Sequence, residues 1–223
     1  FGPVAIFMLL TRTFASYGVE HLKPAVAYVI LTVVLLLIFL IVGYPAFIAV
    51  FAHLNPFKFA KKITRVAVFG FSTSSSAATL PLNVKTTVEE LGVDEKIASF
   101  VLPLGMTINM NGTAIMQVIA TLFIAGCAGY QISFTQLVVI ALLALIASAG
   151  TPAAPGSGAI ILFTILSGLG YVNDAAMLAY SLILAINRPI EMLVTALNVV
   201  GDSATSIYVA KSEGVLNEDV YNA

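Results

Sequence analysis

Leu102-Pro-Leu-Gly-Met-Thr-Ile-Asn-Met-Asn-Gly-Thr-Ala114 lies inside a run, Ile97 to Asn173, that holds no Asp, Glu, Lys or Arg. A run that long and apolar needs a bilayer around it. Yet residues 105–113 place two Gly and two Asn at mid-depth, where helix propensity is poor. The reading is a spanning segment, Ile97 to about Ala128, broken near its middle. The same run breaks again at Ser148-Ala-Gly-Thr-Pro-Ala-Ala-Pro-Gly-Ser-Gly158, between two apolar arms. Two Pro and three Gly there cannot continue a helix. Gly129 to Gln131 read as a surface turn, and the second arm ends near Gly170. Irregular backbone at depth is tolerated only where it lines a cavity. This stretch therefore reads as a re-entrant hairpin.

The rest of the chain agrees. Of 223 residues, 60% are hydrophobic and 9% charged, against about 25% in soluble domains, and the net charge is -1. Mean hydropathy is +1.03. This excludes a soluble or disordered chain, and there is no basic field for nucleic acid. The lone Cys127 excludes a disulfide framework and a Cys-based zinc site. Continuous apolar runs exclude a β-barrel, whose strands alternate over about ten residues. The class is all-α polytopic membrane protein.

Ala25 to Ala52 carries no charge and reads as one long, tilted helix. Lys58, Lys61, Lys62 and Arg65 mark a cytoplasmic loop by the positive-inside rule. Val66 to Val84 has Ser72-Thr-Ser-Ser-Ser76 at its centre and Pro81 beyond. Five hydroxyls at mid-depth suit a first re-entrant hairpin better than a plain span. Glu89 to Lys96 form the next surface loop. In the last span, Ala175 to about Val209, Arg188, Glu191 and Asp202 lie within the apolar zone, and Pro189 predicts a kink. Ionisable residues at such depth are functional candidates. Glu191, Thr195, Asn198 and Asp202 are spaced by four, three and four, so they share one helical face. His21 and His53 fall at membrane boundaries. Residues Phe1 to Thr11 read as a helix end. The opening without Met, inside an apolar run, reads as the C-terminal part of a longer protein with its N-terminal helices missing. Hairpin followed by broken span occurs twice, with the two hairpins expected to enter from opposite sides. Such inverted repeats point to a transporter site at the midplane.

Ser74-Ser-Ser-Ala-Ala-Thr-Leu-Pro81, the 102–114 stretch, Pro155-Gly-Ser-Gly-Ala-Ile160 and Leu197-Asn-Val-Val-Gly-Asp202 together resemble the glutamate-transporter family, the dicarboxylate/amino acid:cation symporters. The resemblance covers essentially the whole chain. It implies an elevator-type transporter, a homotrimer of the plasma membrane, here a bacterial or archaeal cytoplasmic membrane. Residues 1–57 would be transmembrane helices, mainly of the scaffold. Residues 58–209 would be the core of the transport domain: hairpin 58–92, broken helix 94–128, hairpin 131–170 and broken helix 174–209. Residues 210–223 would be a cytoplasmic tail.

The resemblance also implies residue roles. Ser75 and Ser76 would bind the substrate α-carboxylate. Thr113, Thr195 and the Ala153–Ala154 backbone would line the pocket, and Asn198 would bond the carboxylate. Glu191 stands where the family has an Asp for the substrate ammonium. A first sodium site would use Gly105, Asn109, Asn198 and Asp202. A second would lie around Thr107, Met110, Ser148, Ala149 and Thr151. Protons could replace sodium.

Three departures from the family pattern shape the substrate expectation. Val194 occupies the position of the Arg that reads a side-chain carboxylate in acidic-substrate members. Asn111 replaces an Asp of a third sodium site. Asn187 replaces an Asp that orients the missing Arg. The expectation is a sodium-coupled symporter of small neutral amino acids: alanine, serine or threonine. An acidic amino acid or dicarboxylate read by Arg188 is the first alternative, and an ion channel the second. Glu191 could instead pair with Arg188 structurally, and Thr107, Thr113 and Thr151 could back-bond their own helices. No metal-binding His pair or paired nucleophile suggests an enzyme.

Overall fold

The computed structural model describes residues 22–223, with Met8 and Thr11 described singly and both helical. The expected helix end at Phe1 to Thr11, those two residues apart, and the interfacial His21 lie outside the described residues. All regular structure among the described residues is helical.

The first apolar stretch is α1, Leu22–Ile38, and α2, Tyr44–Phe51, joined by a π-helical turn over Phe39–Gly43. The single helix expected from composition is thus widened at one turn. Pro45 lies in the first turn of α2, where its missing N–H removes no required bond, and the wide turn accommodates its ring.

Helix α3, Pro56–Thr73, starts at Asn55, whose side chain accepts from Phe57 N and Lys58 N. It ends at Ser74, which adopts the left-handed conformation, φ 50°. Ser75 then caps α4, Ser76–Glu89. The hydroxyl run is therefore a turn between two helices. Thr73 and Thr79 meet at that turn, while Lys62 Nζ reaches the Glu90 carbonyl at the other end. The pair is antiparallel.

Helix α5, Glu95–Ile108, and α6, Asn111–Cys127, form the broken segment, with the break at Asn109 and Met110. Helix α7, Phe134–Ala149, opens on a reciprocal Ser133–Gln136 capping box. Its partner α8, Ser157–Leu169, runs back antiparallel, bringing Tyr171 onto Tyr130 with ring centroids 4.3 Å apart.

The last segment is interrupted beside Pro189. Helix α9, Asp174–Ile186, stops at Asn187, and α10 then runs unbroken from Arg188 to Ser212. Glu191 to Asp202 sit on intact helix, not within a break. Pro189 is in the first turn of α10, two residues beyond this one-residue interruption, which is where the sequence predicts the kink.

Helix α10 is the axis of the fold and packs on α1 to α6. Its whole 190–207 segment is buried but for Met192 and Thr205. Against α4 it makes a buried polar seam: Asn83 Nδ2 donates to Val199 O at 3.0 Å, and the Thr87 and Ser203 hydroxyls lie 3.1 Å apart. Among the described residues, three segments, Pro24–Phe51, Glu95–Cys127 and Arg188–Ser212, are long and apolar enough to cross a membrane.

The segment expected as a polar tail carries a short element of its own. Residues Glu218–Asn222 form a short helix, α11, on the base of the first helix pair. Lys62 Nζ donates to Val220 O and Tyr221 O, and Lys58 to Asn222 O. Tyr221 is fully buried and donates its hydroxyl to Asn55 O at 2.8 Å. Burial pushes its phenol up to about 12. Tyr221→Phe should lose about 1 kcal/mol of local stability, the net value of one hydrogen bond. Hydrogen exchange should report it as faster exchange in α11 with α6 unchanged.

Candidate functional site

The site is organised by one face of α10. Glu191, Thr195, Asn198 and Asp202 are all buried there, as their spacing predicts. Toward the N-terminal end of that face is a small cavity. Its wall includes Ser74, Ser76, Thr113, Ala153, Ala154, Glu191, Val194, Thr195 and Asn198.

Asn198 joins α10 to the break. Its Oδ1 accepts from Gly112 N at 2.8 Å, and its Nδ2 donates to Thr113 Oγ1 at 3.1 Å. A glycine is required at 112, because a Cβ would stand 2.9 Å from Val194 O. The N-terminal turn of α6, with its free N–H groups, is thereby held at the cavity.

The two helix turns meet above the cavity. Ser75 Oγ donates to Ala153 O at 3.0 Å, and Ala77 N reaches the same carbonyl at 3.5 Å. Ser75 thus bridges the turns, while its neighbours Ser74 and Ser76 face the cavity. The Ser74 hydroxyl is buried and has no partner among the described residues. A buried donor left free beside a cavity suits a ligand acceptor.

Asp202 lies one helical turn beyond Asn198. Its Oδ1 accepts from Asn109 Nδ2 at 3.0 Å. Asn109 Oδ1 in turn accepts from Asn111 Nδ2 at 2.7 Å, which also reaches the Tyr44 hydroxyl at 3.2 Å. Gly105 presses on Asp202 so closely that a Cβ would fall 2.6 Å from Oδ1. Gly105, Asn109 and Asp202 are therefore gathered in one place, with Asn198 one helical turn away on the cavity side. Among the described residues no three His, Cys, Asp or Glu side chains cluster. A hard cation here would be held by one carboxylate with amide and carbonyl oxygens, a donor set that suits such ions.

The other proposed ion ligands are less assembled. Thr107 is exposed and donates to Leu104 O at 3.0 Å. Ser148 and Thr151 donate to Leu145 O and Ala147 O, each at 2.9 Å. These three hydroxyls are back-bonded to their own segments, whereas Thr113 accepts from Asn198. Ala149 is the last residue of α7. Met110 lines the cavity, where its sulfur accepts from Asn198 Nδ2 at 3.2 Å.

Glu191 Oε1 accepts from Ala159 N at 3.4 Å, and Oε2 lies 3.9 Å from Arg188 Nη1. The cavity wall contains no Lys or Arg, and Val194 is part of it. Three participants escaped sequence reasoning. Tyr44 completes the Asp202 chain. Tyr28 donates to Asn187 Oδ1 at 2.7 Å, and Met116 Sδ accepts from Asn187 Nδ2 at 3.1 Å. Their contacts join distant segments, and no local spacing signals them.

The model of the sodium:dicarboxylate symporter family matches residues 1–212. The chain is 32% identical over 213 residues to a putative sodium-dependent excitatory amino acid transporter, glt-4, of Caenorhabditis elegans, covering 95% of this chain and 42% of that protein. It is 34% identical over 206 residues to human excitatory amino acid transporter 1, covering 91% and 37%. It is 31% identical over 220 residues to the proton/sodium-glutamate symport protein of Bacillus caldotenax, covering 98% and 51%. The chain thus spans about half or less of the length of these curated relatives. With the motifs, the two-turn cavity and these matches in agreement, the chain belongs to the sodium:dicarboxylate symporter family.

Proposed function

We propose that the protein is the core of a secondary-active symporter that moves a small neutral α-amino acid with a cation, sodium by preference. The supporting observation is the cavity itself. It offers one carboxylate, Glu191, for an ammonium, and the free Ser74 hydroxyl beside Ser76 for a carboxylate. It offers no cation for a second carboxylate, which would be left unpaired at high cost. Asp202 with Asn109, Asn198 and Gly105 is the proposed first ion site, and residues 107, 110, 148, 149 and 151 the second. The two helix pairs act as re-entrant hairpins whose tips enclose the substrate. Movement of the elevator type, in a homotrimer of the plasma membrane, follows the family resemblance. The exposed apolar side chains of α1 and α7, such as Ile30 and Ile146, suit a bilayer around them.

A second reading is an acidic substrate. The relatives' printed names, excitatory amino acid transporter and glutamate symport protein, favour it, and Arg188 stands close to Glu191. Uptake of labelled serine into proteoliposomes under an inward sodium gradient, with unlabelled aspartate as competitor, separates the two. Sodium-dependent serine uptake that ignores aspartate is expected. Uptake of aspartate, or its block of serine entry, would replace the neutral reading by the acidic one.

A further inference from the structure

Among the described residues, Arg188 is the strong charge paired with the proposed ammonium site, yet it does not line the cavity. It is the first residue of α10, directly after the joint at Asn187. Its side chain is 45% exposed, against 10% for that of Glu191. The guanidinium therefore meets the carboxylate from the outer side. Glu191 presents its other oxygen to Ala159 N at the start of α8 and faces the cavity as well. A buried carboxylate without a countercharge is costly, and 3.9 Å is within ion-pair distance. An aspartate at 191 would be one methylene shorter and would draw back from Arg188. The longer acid and the arginine three residues before it work as a pair.

We propose that Arg188 is the resident countercharge of Glu191 in the ligand-free cavity, and that the ammonium of an arriving amino acid displaces it. This rests on the function proposed above. Loading is then an exchange of one cation for another on a single carboxylate. The released guanidinium is already half in water, so its departure is cheap. After unloading it returns, and the buried acid is never left bare when the empty protein reorients. Arg188 thereby sets affinity for the ammonium without touching the substrate.

The test compares the full-length protein with Arg188→Met, Glu191→Gln and the double variant in proteoliposomes. Serine affinity, net uptake and serine–serine exchange are measured, with aspartate binding alongside. Arg188→Met should tighten serine binding about fivefold, the scale of a half-exposed ion pair. It should also slow net uptake more than exchange, because only net uptake requires the empty protein to return. In the Glu191→Gln background the Arg188 change should alter neither. Three outcomes would overturn the proposal: unchanged serine affinity, weaker serine binding, or a selective loss of aspartate binding that makes Arg188 a reader of a substrate carboxylate. A wild-type protein that binds neither amino acid would overturn the proposed function and this inference with it. Wild-type binding with an inert Arg188→Met would overturn the inference alone.

Discussion

Asp202→Asn is expected to reduce sodium-stimulated uptake at least about 100-fold, the scale of removing one partner from a buried charge pair. The change keeps the shape of the side chain and an oxygen that can still accept from Asn109. Only the charge goes. Asp202 is buried and bonded by a neutral amide, so without a cation it carries an uncompensated desolvation cost. The variant should therefore be as thermally stable as the wild type in sodium-free buffer, or more so. It should also lose the rise in melting temperature that sodium gives the wild type, since a ligand that binds only the folded state stabilises it. Melting curves and uptake across a sodium series check both halves. A variant that keeps its sodium dependence would move the ion site away from Asp202.

Gly201→Ala is expected to destabilise the protein by about 1–3 kcal/mol, the cost of overpacking a filled interior. The added methyl would collide with the Tyr44 hydroxyl and stand 2.9 Å from Asn109 Nδ2. Both neighbours belong to the hydrogen-bonded chain that leads to Asp202, so uptake should fall along with stability. Tyr44→Phe removes the struck oxygen. The double variant should recover part of the lost melting temperature, a non-additivity expected of residues in contact. Strict additivity of the two changes would show that the close approach of α2 to α10 has been misplaced.

The helix pairs were legible because the stretches around their turns carry residues that helices disfavour: five hydroxyls about one, two prolines and three glycines about the other. The break at Asn109 and Met110 was legible for the same reason. The break at Asn187 was legible from Pro189, which lies two residues beyond it in the first turn of α10. The cavity face of α10 followed from a spacing of four, three and four. What spacing could not show was which serine faces inward. Ser74, Ser75 and Ser76 are equivalent in composition, and the left-handed backbone at Ser74 decides that Ser75 points to the opposite turn. The docking of residues 217–222 was also hidden. Asn217 N bonds to Gly92 O at 2.8 Å, and no local pattern announces a contact over that distance in sequence. The Tyr44 and Tyr28 contacts are of the same kind, since an apolar helix gives no sign of where its few hydroxyls land.

Ser75 Oγ and Ala77 N both rest on the carbonyl of Ala153. Two hydrogen bonds to a single acceptor contribute a net of about 1–3 kcal/mol. Entry to the cavity from this side requires the contact to open. It depends on how often this one peptide oxygen is released, and a ligand that bonds both turns would shift the census toward the joined form.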